Sequence, residues 1–159
     1  MRRALPADYS AVGDITIAAY DADGFLDAER SYAGVLRDAG DRARRAELWV
    51  AADESGLLGT VTFCPPGSDY RELARTEHQG EFRMLAVTPA ARRRGVARTL
   101  VAHCLQRSRE LGHTEMVLCS VDTMTSAHAL YASFGFVRAP ELDWRPVPHI
   151  LLWGFRLPL

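Results

Sequence analysis

The chain has 159 residues and a formal net charge of −1 at pH 7, with 48% hydrophobic and 25% charged residues. This is the composition of one globular domain with a sizeable core, and the absence of a basic excess argues against nucleic acid or an anionic membrane as partner. All nineteen basic residues are arginines, which excludes catalytic or Schiff-base lysine chemistry.

Cys64, Cys104 and Cys119 have no C-x-x-C spacing and sit in or beside apolar runs. They read as buried inert thiols, forming neither a disulfide framework nor a metal site. No run approaches the ~18 apolar residues of a transmembrane helix, and Met1 to Pro6 lacks a signal peptide's apolar core. A single cytoplasmic domain over residues 1–159 is the expectation.

In chain order, Asp8 is placed to cap a helix carrying Val12, Ile15 and Ala19. Phe25 to Ala39 forms a second helical segment, with Tyr32, Val35 and Leu36 at helical spacing and Gly40 as its stop. The period then changes. Two strands, Leu48–Ala52 and Leu58–Cys64, flank a turn at Asp53–Gly56, and Pro65 and Pro66 close the second. Residues 67–80 are a polar loop, and residues 81–89, EFRMLAVTP, are a strand closed by Pro89. Residues 92–111 are a helix with an apolar stripe of Val96, Leu100, Val101, Cys104, Leu105 and Leu111, and Gly112 ends it. EMVLCSV, residues 115–121, is apolar almost throughout, as a strand covered on both faces would be. A short helix over 125–134, with Thr125 as its cap, precedes strands at Phe136–Arg138 and Ile150–Leu157. A strand–helix–strand unit inside an otherwise antiparallel sheet defines an α/β fold with a mixed sheet.

The turn TPAARRRGVAR, residues 88–98, joins a buried strand to a long helix. Amides at a helix N-terminus have no partner inside the helix and point at a positive dipole end, so they hold phosphate well. Gly95 permits close approach of the backbone, and Arg92, Arg93, Arg94 and Arg98 add charge. A solvent-facing arginine turn explains this segment alone equally well. It is neither a Walker loop nor the dinucleotide fingerprint, because the required glycine spacings are absent.

Arg92-Arg93-Arg94-Gly95-Val96-Ala97 does satisfy R/Q-x-x-G-x-G/A, and ALYASFGF at residues 129–136 matches L-Y-x-x-x-G-F. Two motifs in this order and spacing resemble the GNAT superfamily of N-acetyltransferases, and the element order agrees along almost the whole chain. The resemblance implies a single-domain fold whose central parallel strand pair splays apart, with acetyl-CoA as co-substrate and no metal. Backbone groups of Leu85, Ala86 and Val87 would pair with the pantetheine arm. The amides of Arg93 through Arg98, with Val96 and Ala97 among them, would cradle the pyrophosphate. The amine must lose a proton before it attacks, because alkylamines titrate near ~10.4 and α-amines near ~7.7–8.0. Tyr131 is implied as the acid that protonates the departing thiolate. Glu81 is implied as the base, with Asp122, His78 and water as alternatives.

In many members an asparagine stands seven residues before the tyrosine. Here that position is Met124, and the chain contains no asparagine, which leaves Thr123, Thr125 or Ser126 to supply a hydroxyl. His128 reads as part of a polar helix face. Acceptor selectivity falls to residues 20–40, 64–80 and 138–149, among them Asp21, Asp23, Asp27, Glu29, Tyr70, Arg71, Glu72, Arg75, Glu77, Glu141, Asp143 and Trp144. The acceptor is expected to be a small-molecule or peptide amine, and a homodimer stays open. A non-catalytic acyl-CoA-binding module is the alternative reading, and an arginine-mediated nucleic-acid binder is a third that the near-neutral charge opposes.

Overall fold

The structure is a computed structural model describing residues 1–28 and 32–159. A short strand β1 (Arg2–Arg3) and a 3₁₀ turn lead into helix α1 (Tyr9–Ala22). Asp8 sits at the helix start, but its carboxylate accepts the Leu5 N–H (2.7 Å) and pairs with Arg2 instead of capping α1. Next come α2 (Phe25–Ala28), α3 (Ala33–Arg37) and α4 (Ala39–Arg45). Gly40 therefore does not stop a helix; it lies inside one. Asp38 restarts the helix by accepting the Asp41 N–H at 2.8 Å, a cap signal that outweighs the glycine. The expected acidic residue Glu29 lies outside the described residues.

Strands β2 (Glu47–Asp53) and β3 (Gly56–Cys64) form the expected hairpin, and β4 (Gln79–Val87) follows the loop. Helix α5 (Val96–Glu110) starts four residues later than expected, because residues 92–95 form a turn in which Arg93 and Gly95 have φ of 64° and 80°. Strand β5 (Glu115–Val121), helix α6 (Thr125–Ala132) and β6 (Val137–Arg138) come next. The chain finishes with β7 (Trp144–Val147) and β8 (Ile150–Pro158). Strand β7 lies between the two last strands that the sequence predicts, and it holds Pro146. It pairs only with β8, as Trp144↔Leu152 and Val147↔Ile150, and an edge strand tolerates proline.

The sheet order is β1-β2-β3-β4-β5-β8-β6, and β4–β5 is its parallel pair. One face carries α5: Leu100, Val101 and Cys104 are fully buried against Val61, Phe63, Phe82, Met116 and Leu118. Full burial of a Leu or Val side chain contributes about 1.5–3 kcal/mol, so this stripe fixes α5 to the sheet. The other face carries α1, α3 and α4, with Leu36, Cys64, Met84 and Val121 in one cluster and Val12, Leu48 and Val50 in another.

Two irregularities open the middle of this sheet. The parallel ladder holds only at Gln79↔Glu115, Gly80↔Met116 and Glu81↔Val117, although both strands continue past it. On its other edge β4 pairs Thr60↔Ala86 but Thr62↔Arg83, so it carries an extra residue there. Met84, at φ 52°, sits in this bulge. A bulge bends and twists its strand, and here it carries the second half of β4 away from β5.

Candidate active site

The space between the splayed strands is a cavity of about 750 Å³, walled by β4 from Phe82 to Val87, by Cys119, Ser120 and Val121 of β5, and by the starts of α5 and α6. Across β4 the ladder fixes which peptide groups face it. Thr88 donates its N–H to the Leu58 carbonyl of β3 at 2.8 Å. By alternation Ala86 also faces β3, while Leu85 and Val87 turn their peptide groups toward the gap. Leu85 and Val87 also line the cavity wall. Ala86 contributes its side chain to the wall but engages its backbone with β3.

At the mouth, the amides of Arg93 through Arg98 make no hydrogen bond among the described residues, while Arg92 N–H is given to Pro89 and Thr99 N–H to Gly95. Arg93 and Gly95 both have positive φ, a backbone turn of the kind in which successive amides can converge on an anion. A Cβ at Gly95 would meet nothing within 4 Å, so the glycine is required there by its φ.

The four arginines divide. Arg92 pairs with Asp23 at 3.1 Å, and Arg98 donates to Ser133 Oγ at 2.7 Å and lies over Phe134. Arg94 turns back to Asp53 at 2.9 Å and is absent from the cavity wall. Arg93 lines the cavity and pairs with no acid among the described residues. Val96 and Ala97 also line it.

Tyr131 is buried and lines the cavity. Phe82, Phe136 and Phe155 hold its ring at centroid distances of 6.0, 5.8 and 5.9 Å. Burial raises its phenol above the ordinary tyrosine value, so the hydroxyl keeps its proton at neutral pH. Cys119 also reaches the wall and is half-buried where full burial was expected, and desolvation pushes its thiol up to about 12. It stays a thiol.

The structure corrects the placement of Glu81. Its side chain is fully buried and is not part of the cavity wall. Its carboxylate accepts the amides of Glu72 (3.1 and 3.0 Å), Leu73 (3.0 Å) and Ala74 (3.0 Å). A carboxylate saturated by loop amides is a clamp. His78 lies at the zipped end of β4 and Asp122 follows β5, and neither lines the cavity. Two carboxylates do line it: Asp23, which pairs with Arg92, and Glu72. Glu72 Oε1 takes a 2.6 Å ion pair from Arg83, while its Oε2 is buried without a partner. Ser120 Oγ is a second unpartnered buried atom in the same wall. Met124 and Ser126 line the mouth and Thr123 and Thr125 do not. His128 bonds the Val121 carbonyl at 3.1 Å and stacks on Trp153, so it packs α6 onto the sheet.

A mixed sheet with one splayed parallel pair and helices on both faces defines a single α/β domain. Residues 13–136 match the acetyltransferase (GNAT) family, and the chain belongs to that family. It is 35% identical over 105 residues to an uncharacterized N-acetyltransferase of Schizosaccharomyces pombe, covering 65% of this chain and 60% of that protein. It is 32% identical over 108 residues to N-acetyltransferase 8B of Rattus norvegicus, covering 65% of this chain and 47% of that one. The chain thus spans about half the length of these relatives. Among solved structures, a ribosomal-protein-alanine N-acetyltransferase from Brucella melitensis superposes with a TM-score of 0.69 at 22% identity, covering 99% of this chain and 98% of that one. That likeness is one of fold. Among the described residues no helix is long and apolar enough to cross a membrane.

Proposed function

We propose that the chain is an acetyl-CoA-dependent N-acetyltransferase that acts on a primary amine and moves the acetyl group directly, without an acetyl-enzyme. The observation that carries this reading is the row of free amides from Arg93 to Arg98 at the mouth of a gap whose β4 edge, at Leu85 and Val87, is unpaired. Free amides at a helix start suit a diphosphate, and an open strand edge suits the amides of a pantetheine arm. When bound, acetyl-CoA supplies an acetyl group activated as a thioester. Tyr131 holds the proton that a departing thiolate needs. The Leu85 and Val87 amides are aimed at the gap, where negative charge on a carbonyl oxygen would develop. Cys119, held as a thiol, supports direct transfer over a covalent relay. Ser126 is the hydroxyl placed to replace the missing asparagine.

Thermal unfolding with and without acetyl-CoA tests the binding half. At one hundred times the Kd, stabilisation is about 2.7 kcal/mol, a rise in Tm of roughly 5–10 °C for a domain this size. No shift at millimolar acetyl-CoA contradicts the reading. Free-thiol release across a panel of amines tests the catalytic half. Binding without release on any amine would instead indicate an acyl-CoA-binding module.

A further inference from the structure

On the sheet face that carries α1 and α3, the cavity wall includes Tyr32, Glu72 and Arg83. A second, smaller recess of about 370 Å³ lies beside it, with Gly34, Val35, Asp69 and Tyr70 in its wall. Among the described residues, Arg83 is the one that lines both spaces. Its guanidinium joins the two walls. It meets Glu72 Oε1 at 2.6 Å and the Tyr32 hydroxyl at 3.3 Å on the cavity side, and donates to the Tyr70 carbonyl at 3.0 Å on the recess side. This bridge is braced from β4. Gln79, Glu81 and Arg83 alternate onto one face of the strand, and each holds the loop before it. Gln79 Oε1 accepts the Arg75 N–H at 2.8 Å, and Glu81 accepts the amides of Glu72, Leu73 and Ala74. The backbone that carries Glu72 is therefore fixed before any ligand arrives.

Resting on the acetyltransferase reading, we propose that the Arg83–Glu72 ion pair is a partition between cavity and recess that limits the length of the acceptor. The reacting amine lies beside Tyr131, and its tail runs along Tyr20, Phe25 and Ile150 toward the pair. A tail that reaches the pair stops there. Pushing the guanidinium aside would break its bonds to Glu72, Tyr32 and Tyr70 and leave two charges apart and poorly solvated, which costs several kcal/mol per ion. An apolar tail offers nothing in exchange. The pair acts by size: its charges neutralise each other, and neither residue touches a reacting atom. Without it, the recess would extend the cavity toward Val35, which is 42% exposed, and a longer tail would reach solvent.

The test uses the full chain with acetyl-CoA and straight-chain primary alkylamines from propylamine to decylamine. Thiol release gives kcat/KM along the series, and acetyl-CoA affinity and Tm are measured for every variant. For the wild type, kcat/KM is expected to climb with chain length and then to drop sharply at one length. Arg83→Ala with Glu72→Ala removes both charges together and strands neither. It should move the drop to longer amines, raising kcat/KM for the first amine past the wild-type limit by roughly tenfold or more, while acetyl-CoA affinity is kept. Adding Val35→Trp refills the recess and should return the drop to the wild-type length, which a general loosening of the fold would not do. Arg83→Gln with Glu72→Gln shortens the partition without emptying it, and carries the same reading if the alanine pair does not fold. A wild type without a length limit, a limit that the paired variants leave in place, a shift that Val35→Trp does not reverse, or activity only on amines outside the series overturns the proposal. A wild type that binds no acetyl-CoA, or releases no thiol with any amine, instead sinks the underlying acetyltransferase reading.

Discussion

Tyr131 and Glu81 show how differently two residues of equal sequence standing are used. Both were matched to family positions, yet one hydroxyl lines the cavity and one carboxylate is buried away from it, holding a loop. The distinction lies in partners that no local pattern reveals, since the amides of Glu72 to Ala74 reach Glu81 only through the folded loop. A sequence clue to the buried ion pair did exist. Arg83 is a charge inside the apolar strand EFRMLAV, and a buried arginine needs a counter-ion. The structure supplies Glu72, 2.6 Å away. For Tyr131, replacement by Phe keeps the ring among Phe82, Phe136 and Phe155 and removes only the hydroxyl. We expect Tyr131→Phe to lower kcat by about 10²–10⁴-fold with acetyl-CoA affinity and Tm almost unchanged. Steady-state kinetics beside calorimetry checks this, and unchanged turnover would leave Tyr131 a packing role.

At the scale of elements, strands and long helices were legible because hydrophobic periodicity encodes them: β5 occupies the predicted residues, and the α5 stripe is the predicted one except for Leu111, which lies past the helix end and is exposed. The misreadings fall where a short-range signal competes with the pattern. Asp38 capping overrode Gly40, an edge position admitted Pro146, and left-handed Arg93 and Gly95 delayed α5. The last of these shapes the turn at the cavity mouth, and the sequence did not show which arginine of that turn would line the cavity. Asp53 takes Arg94 away, and Arg93 is left at the cavity. Accordingly Arg93→Asn, in which asparagine tolerates the left-handed backbone, should weaken acetyl-CoA binding roughly fivefold or more, while Arg94→Ala should change it less than twofold. Equal losses in a titration of both variants would mean that side-chain charge there acts only as a diffuse field.

For the whole molecule, proton linkage gives a stability profile. Burial holds His103, His113 and His128 below the ordinary histidine value. As pH falls through about 6.5 the unfolded chain binds protons that the folded chain refuses, so stability is full above that value and lost below it. Glu72, raised by burial, opposes this in part, because its folded form keeps a proton longer as pH rises. Asp8 and Asp143, lowered by their arginine partners Arg2 and Arg138, give up their contribution only as pH drops below about 4. Tm should therefore decline from pH 6.5 toward 5 and again below 4, and a flat Tm between pH 7 and 5 would contradict the buried neutral histidines.

The account turns on a strand pair that is zipped at Gly80 and Glu81 and open beyond them, with unbonded amides at the mouth. Residue-resolved amide hydrogen exchange, with and without saturating acetyl-CoA, measures this directly. The amides of Arg93 to Arg98, Leu85 and Val87 should exchange fast in the free protein, well ahead of Ala86 and of the α5 interior, and slow markedly when the ligand is added. Amides already protected in the free protein, or indifferent to the ligand, would contradict it.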